Sequence, residues 1–335
     1  MMNKSLKILD CTLRDGGYFN NWCFGKDNII SIVNGLNKAG IDLIECGLLT
    51  TKCAYSDEKT LFTDIELVCK LITDIDVCEK MVLLMNIGEY DVLQIPHCSN
   101  VGINSIRIAF HKPFVKDVFE VIKVLNQKKY RVYLQPMVTN SYSNQELKDL
   151  INAANEYNVY CMYIVDSFGT MNSEDIAHIM EIYEENLNPN IQIGLHAHNN
   201  LNLALSNSLY FSQIQSQHCI LIDTTIMGIG RGAGNLDLES FIDKISMGIS
   251  YNKLIIENLR KNIVSKLYGN RDENNRVEYY ISALNKCHPN YAKFLIKENL
   301  SYNVLNEIFM NFDEDKKIFY DEKYVLNLVE RIRKG

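Results

Sequence analysis

Short aliphatic and β-branched runs alternate with amphipathic stretches eight times over the first 250 or so residues, and this alternation constrains the fold more than any other feature. The runs are Leu6–Asp10, Ile41–Leu48, Met81–Ile87, Ser105–Phe110, Arg131–Val138, Val159–Asp166, Ile191–His198 and Cys219–Ile226. Helical spacing of apolar residues follows each, around 26–39, 57–73, 89–96, 114–128, 144–156, 173–187, 199–216 and 236–249. Strands separated by helices pair in parallel, because each crossover returns the chain to the same end of the sheet. Eight such units match the size of a (β/α)8 TIM barrel. An open doubly wound sheet would carry a glycine fingerprint behind its first strand, and "CTLRDGGYFN" is not one. The expected class is therefore α/β: a barrel over residues 1–250, then a helical C-terminal region over 251–335, where helical spacing continues without intervening strands.

Composition narrows the setting. Of 335 residues 47% are hydrophobic and 22% charged, with a net charge of −7 and no basic run, so nucleic acid and acidic membrane surfaces are not expected partners. No stretch has the length of a membrane span, and the first residues lack the apolar core of a secretion signal. Ten cysteines include no C-x-x-C pair, and Cys46, Cys161 and Cys219 sit in apolar runs as small hydrophobes. A reducing, cytoplasmic location is expected.

In such a barrel the chemistry lies at the carboxyl ends of the strands, and the unusual residues cluster there. "GLHAHNN" places His196 and His198 on one strand face with Ala197 turned away, a platform for a divalent metal. Two hydrogen-bonded histidines in a polar mouth are the plainer alternative. Asp15 follows the first strand, which neighbours the eighth in a closed barrel, and so supplies an anionic oxygen. Arg14 beside it has a fork suited to a carboxylate or an oxyanion. Glu45, inside "IDLIECGLL", is an acid too costly to bury alone, and Arg14 is its natural partner. Strict alternation there puts Leu43, Glu45 and Gly47 on one face and Ile44, Cys46 and Leu48 on the other. The loop "GIGRGAGN" could bind phosphate, deliver Asn235 to a metal, or deliver Arg231 to a substrate.

Thr12-Leu13-Arg14-Asp15-Gly16, Glu45, His196-Ala197-His198-Asn199 and Gly232-Ala233-Gly234-Asn235 together resemble the DRE-TIM metallolyases, the HMG-CoA lyase-like or pyruvate carboxyltransferase group. The likeness spans residues 6 to about 245 and leans towards 4-hydroxy-2-oxovalerate aldolases. It implies that Asp15, His196, His198 and Asn235 bind Mn²⁺ or Mg²⁺, that Arg14 stabilises an enolate, and that Glu45 orients Arg14. "DSFGTM" resembles a segment that cradles the substrate carboxylate, which implicates Asp166 and Ser167, with Arg231 opposite. The implied reaction makes or breaks a carbon–carbon bond next to a 2-oxo acid.

Two departures stand out. The aldolases' base histidine, three residues after the metal-binding aspartate, is Tyr18 here, and His111 is the substitute candidate. The acyl-CoA lyases' cysteine is missing from 228–234. A Claisen-type acyltransferase and a non-catalytic metal-binding barrel are the alternatives. In the tail, "ALNKCHPNYAKFL" breaks at Pro289, and its polar and aromatic residues could close the barrel mouth. Otherwise the tail covers the barrel's side, builds a homodimer, or meets a partner dehydrogenase.

Overall fold

The computed structural model describes residues 6–73, 75–245, 251–269 and 276–334. Nine strands form one parallel sheet: β1 (Leu6–Asp10), β2 (Leu43–Leu49), β3 (Leu61–Phe62), β4 (Met81–Asn86), β5 (Ser105–Phe110), β6 (Arg131–Pro136), β7 (Cys161–Asp166), β8 (Gln192–Ala197) and β9 (Ile220–Thr224). β1 pairs with both β2 and β9, so eight strands close into a TIM barrel, and β3 hangs outside on β2. Two apolar layers hold it. Outward residues such as Ile8, Ile108, Leu134 and Ile222 pack under the helices. Leu9, Leu43, Val82, Tyr133, Tyr163 and Leu221 fill the barrel's lower interior.

Local chemistry sets several helix starts. Ser143 and Glu146 form a reciprocal capping box ahead of Asn144–Glu156, and Asn172 and Asp175 do the same ahead of Ser173–Asn186. Elsewhere the helices are shorter than periodicity suggests. The second begins only at Ile65, capped by Asp64, because the chain before it is spent on β3. The segment 89–96 forms only a short 3₁₀ turn, Val92–Gln94, and Lys128 Nζ takes the carbonyls of Val92 and Leu93 at 3.0 and 2.8 Å. The seventh, Ala204–Gln213, starts late because Asn199 and Asn200 belong to a loop. The last barrel helix is Leu238–Lys244, and residues 246–249 of the expected helix lie outside the described residues.

β2 departs from strict alternation. Pairing with β4 slips between Glu45 and Gly47, leaving Cys46 as an inserted residue. Leu48 thereby turns inward with Leu43 and Glu45, while Leu49 joins the outer layer. Only glycine suits the position after the bulge: Gly47 has φ +152°, and a methyl group there would overlap the carbonyl oxygen of Thr60.

After the barrel, Lys253–Leu259 and its continuation to Tyr268 pack into the barrel's own core through Ile256, Leu259 and Val264. Residues 276–334 build a second core around Ile281, Tyr291, Leu305, Phe309 and Val325. The change from one core to the other thus falls after Tyr268 rather than at 250. Pro289 does not separate two helices from outside; it is the first residue of Pro289–Ile296, where a missing N–H costs nothing. This region seats on the barrel mouth. His288 meets the ring of Phe168 edge-on at 5.4 Å, and Phe319 lies 4.9 Å from His111. Tyr291 ties the two roof segments together, its hydroxyl 2.8 and 2.9 Å from the carbonyls of Lys316 and Phe319.

Gly47→Ala should lower unfolding free energy by about 1–3 kcal/mol, the usual cost of a strained backbone position, as read from urea denaturation. The roof should carry a pH signature. Burial, reinforced by Arg231, brings His111 down to about 4, and burial with Arg231 and His111 holds His288 well below its ordinary value. Below the unfolded value of about 6.5, the unfolded chain then binds more protons, so this contribution is intact above pH 6.5 and lost as pH falls towards 4. Burial raises Asp10 and Asp166 to about 7, which acts in the opposite sense. The difference between wild type and His111→Gln isolates the histidine: the variant should lose less thermal stability between pH 7 and 4.5.

Candidate metal and enolate site

The turn after β1 is built to hold two charged residues still. Asp10 accepts from the Thr12 N–H and hydroxyl, both at 3.0 Å, and the Thr12 hydroxyl accepts from Ile226 N at 2.9 Å. The carbonyl of Arg14 takes the indole N–H of Trp22 at 2.7 Å. Arg14 and Asp15 consequently point into the mouth with almost no exposure.

A continuous line of buried charge runs across the barrel from there. Arg14 donates from Nη1 to Asp15 and from Nε to Glu45 at 2.6 Å. Glu45 also meets Arg107 Nη1 at 3.1 Å, and Arg107 pairs through Nη2 with Asp223. Asp223 accepts from Tyr163 at 3.0 Å and lies 2.8 Å from His196 Nδ1. Arg107 stacks on Tyr163, its guanidinium 4.3 Å from the ring centre. Burial would raise Asp15 and Asp223, yet Arg14 and the imidazoles hold the first well below the usual carboxylate range, and Arg107 with His196 lowers the second. The two arginines are held charged by the same contacts, against burial.

Arg107 and Asp223 are the functional-site residues that motif reasoning missed. Each is a charge inside an apolar run ("SIRIAF", "CILIDTT"), the signal that singled out Glu45.

Asp15, His196 and His198 present ligand atoms within 4.8 Å of one another. Asp223 fixes His196 through Nδ1, and the carbonyl of Asp166 faces His198 Nδ1 at 3.1 Å, which leaves the Nε2 of each ring as the nitrogen available to a ligand. His198 Nε2 is buried without a hydrogen-bond partner, 3.5 Å from Asp15 Oδ2. Asn235 donates to Asp15 Oδ2 at 2.5 Å, leaving its own Oδ1 buried and partnerless. Two orphaned acceptors beside a carboxylate are what a hard divalent cation satisfies. The charge balance agrees, with two guanidiniums set against three carboxylates in the line. A second cluster, Cys11, His196 and Asp223, fits a metal poorly. Its carboxylate already serves Arg107 and Tyr163, and burial keeps the Cys11 thiol protonated.

The glycine loop brings both of its polar residues to the mouth. Gly230 lies so close that a methyl group would sit 2.6 Å from Asp15 Oδ2. Arg231 donates from Nη2 to the Ser167 carbonyl at 2.9 Å and sits 5.8 Å from the ring centre of Tyr18, which also packs on Trp22. His111 sits beneath Phe319, under the roof and not on open surface.

The expectation of a substrate contact fails for the Asp166 side chain. Its carboxylate is turned into its own loop, accepting from Thr170 N at 2.8 Å and Met171 N at 3.2 Å, and so positions His198 through the same turn. Ser167 is tied to the scaffold, its hydroxyl accepting from Val138 N at 2.9 Å. Arg14 Nη2 faces inward with no partner.

Comparison with known proteins agrees with this geometry. The family model described as HMGL-like matches residues 5–261. A 4-hydroxy-2-oxovalerate aldolase from Geobacillus genomosp. 3 is 31% identical over 258 residues, covering 74% of this chain and 73% of its own. The N-terminal domain of a candidate aldolase from Bacteroides vulgatus superimposes with a TM-score of 0.72 at 23% identity, over 89% of this chain and 98% of its own. The carboxyl transferase domain of Rhizobium etli pyruvate carboxylase, with pyruvate and biocytin, gives 0.69 at 12% identity over 99% of this chain and 61% of its own. These two likenesses show the fold. The chain belongs to the HMGL-like family, and within it is a metal-dependent carbon–carbon lyase.

Proposed function

We propose that this protein is an aldolase for a short 4-hydroxy-2-oxo acid, splitting it into pyruvate and an aldehyde. One observation carries the reading: partnerless acceptors on His198 and Asn235 sit beside Asp15, whose other oxygen holds an arginine with a partnerless donor. A 2-oxo acid supplies the complementary oxygens.

Asp15, His196, His198 and Asn235 would hold Mn²⁺ or Mg²⁺, which as a Lewis acid draws charge onto the oxygen that becomes the enolate. Arg14, fixed at two nitrogens by Glu45 and Asp15, gives its free Nη2 to that oxygen and needs no reorientation as charge develops. Glu45 is a positioning residue, itself held from behind by Arg107. Cleavage breaks the C3–C4 bond and leaves its electron pair on C3. The C4 hydroxyl loses its proton and becomes the aldehyde carbonyl. We assign that proton to His111, neutral across the physiological range, or to Tyr18 acting as a relay beside Arg231, and its return to C3 yields pyruvate. Arg231 adds positive charge at the rim for the incoming anion. The roof of His288 and Phe319 excludes water from the enolate. No lysine is among the residues that meet at the site, so a Schiff base is not part of this reading.

Two further points belong to the proposal. Val277, Tyr280 and Leu284 form an exposed apolar stripe on Arg276–Leu284, suited to a second copy of the chain or a dehydrogenase that receives the aldehyde. No disulfide joins the cysteines among the described residues, and no described helix is long and apolar enough to cross a membrane, which supports a cytoplasmic setting.

The test is pyruvate release from 4-hydroxy-2-oxovalerate by protein loaded with Mn²⁺. Cleavage should stop on thorough chelation and return with the metal; persistence without metal, or release of free coenzyme A from acetyl-CoA in place of cleavage, overturns the reading. Arg14→Lys keeps the charge and loses the fork. It should retain metal while turnover falls about a hundredfold, the usual cost of one oxyanion donor.

A further inference from the structure

The mouth has a polar half and an apolar half. Asp15, His196, His198 and Asn235 come from the turn after β1, the end of β8 with the residue just beyond it, and the loop after β9. Across the barrel, Leu48, Leu84 and Ala109 form a separate small apolar wall, extended by Trp22, Leu61 and Met137. Two strand amides belong to this half: Asn86 of β4, which already donates to Glu89 at 3.2 Å, and Gln135. Gln135 on β6 shares the inward face of Tyr133, two residues earlier, and lies in register with Ala109 of β5. It is 3% exposed, and its Nε2 has no hydrogen-bond partner. An amide donor buried this way is destabilising unless something arrives to accept from it.

The strand order says which part of a substrate that is. Round the barrel β6 stands four strands from β1, directly opposite Arg14 and Asp15. A 4-hydroxy-2-oxo acid held by its carboxylate and 2-oxo oxygens on the β1 side extends its C4 end towards β6. We propose that Gln135 binds the C4 oxygen, donating from Nε2 to the hydroxyl of the intact acid and to the aldehyde carbonyl it becomes. The wall of Leu48, Leu84, Ala109 and Met137 then takes the rest of the aldehyde half, so the preferred partner aldehydes are short and apolar beyond that single oxygen. This rests on the aldolase reading above and extends it to the other product.

Gln135→Leu separates the two halves of the reaction. Exchange of the pyruvate C3 protons with deuterium oxide needs only the metal side, whereas cleavage also needs the C4 end. In Mn²⁺-loaded protein the ratio of cleavage kcat/KM to exchange rate should fall at least tenfold, with KM for added aldehyde rising in the condensation direction. Wild type should also condense pyruvate with acetaldehyde or propanal in preference to glycolaldehyde. Should Gln135→Leu not fold, Gln135→Met takes its place, since its unbranched thioether has a similar length and no N–H to donate. An unchanged ratio, or cleavage and exchange falling in parallel, overturns the role of Gln135. Failure of wild type to exchange pyruvate protons at all removes the aldolase reading, and Gln135's role with it.

Discussion

The site depends on one shared carboxylate. Glu45 is wholly buried between Arg14 and Arg107 and is the joint of a charge line that reaches from Asp15 to His196. Take it out and two guanidiniums face each other across an apolar barrel with less to neutralise them. A single charge at that depth would be prohibitive; alternating ones are tolerable because each side chain is a partner to the next. The line also explains the orientation of groups that never touch one another. Asp223 turns His196, Arg107 turns Asp223, and Glu45 holds Arg107 and Arg14 in one frame.

Rigidity here comes from layers rather than from any one contact. Tyr133 and Tyr163 plug the barrel beneath the charges, so the ionic layer rests on a packed floor. Above, the C-terminal region brings a lid with a core of its own, in which Tyr291 stitches the His288 and Phe319 segments together. Between floor and lid, the buried polar atoms without a hydrogen bond include acceptors on His198 and Asn235 near Asp15 and donors on Arg14, Arg231 and Gln135. In the proposed aldolase reading, the ligand would offer oxygens to the donors, and a divalent cation would satisfy the acceptors.

Much of this was legible in the amino-acid sequence, for reasons that differ between residues. His196 and His198 could be paired because a strand alternates with period two, and Asp15 could be brought to them because a closed barrel makes its first and last strands neighbours. Period two failed at Cys46: a bulge shifts the pattern by one residue, and only the three-dimensional pairing with β4 shows it. Arg107 stands out in the sequence only as a charge inside an apolar run, and its importance rests on Asp223, 116 residues away. Asp166 misled because an acid at a strand end can serve a ligand or its own loop, and backbone N–H positions decide between them. The lid was suggested by aromatic and polar residues around Pro289; its seat on Phe168 and His111 follows from packing alone.

The closure of β1 against β9 also has a meaning for the chain as it is made. Asp15 leaves the ribosome early, the two histidines some 180 residues later, and Asn235 last of all. Domains fold largely as units, during synthesis or soon after. Until the glycine loop has emerged and β9 has docked on β1, no subset of the chain holds the full donor set. If the proposed donor set holds the ion, its retention would report a finished barrel, and a nascent or truncated chain ending before residue 235 would hold one poorly.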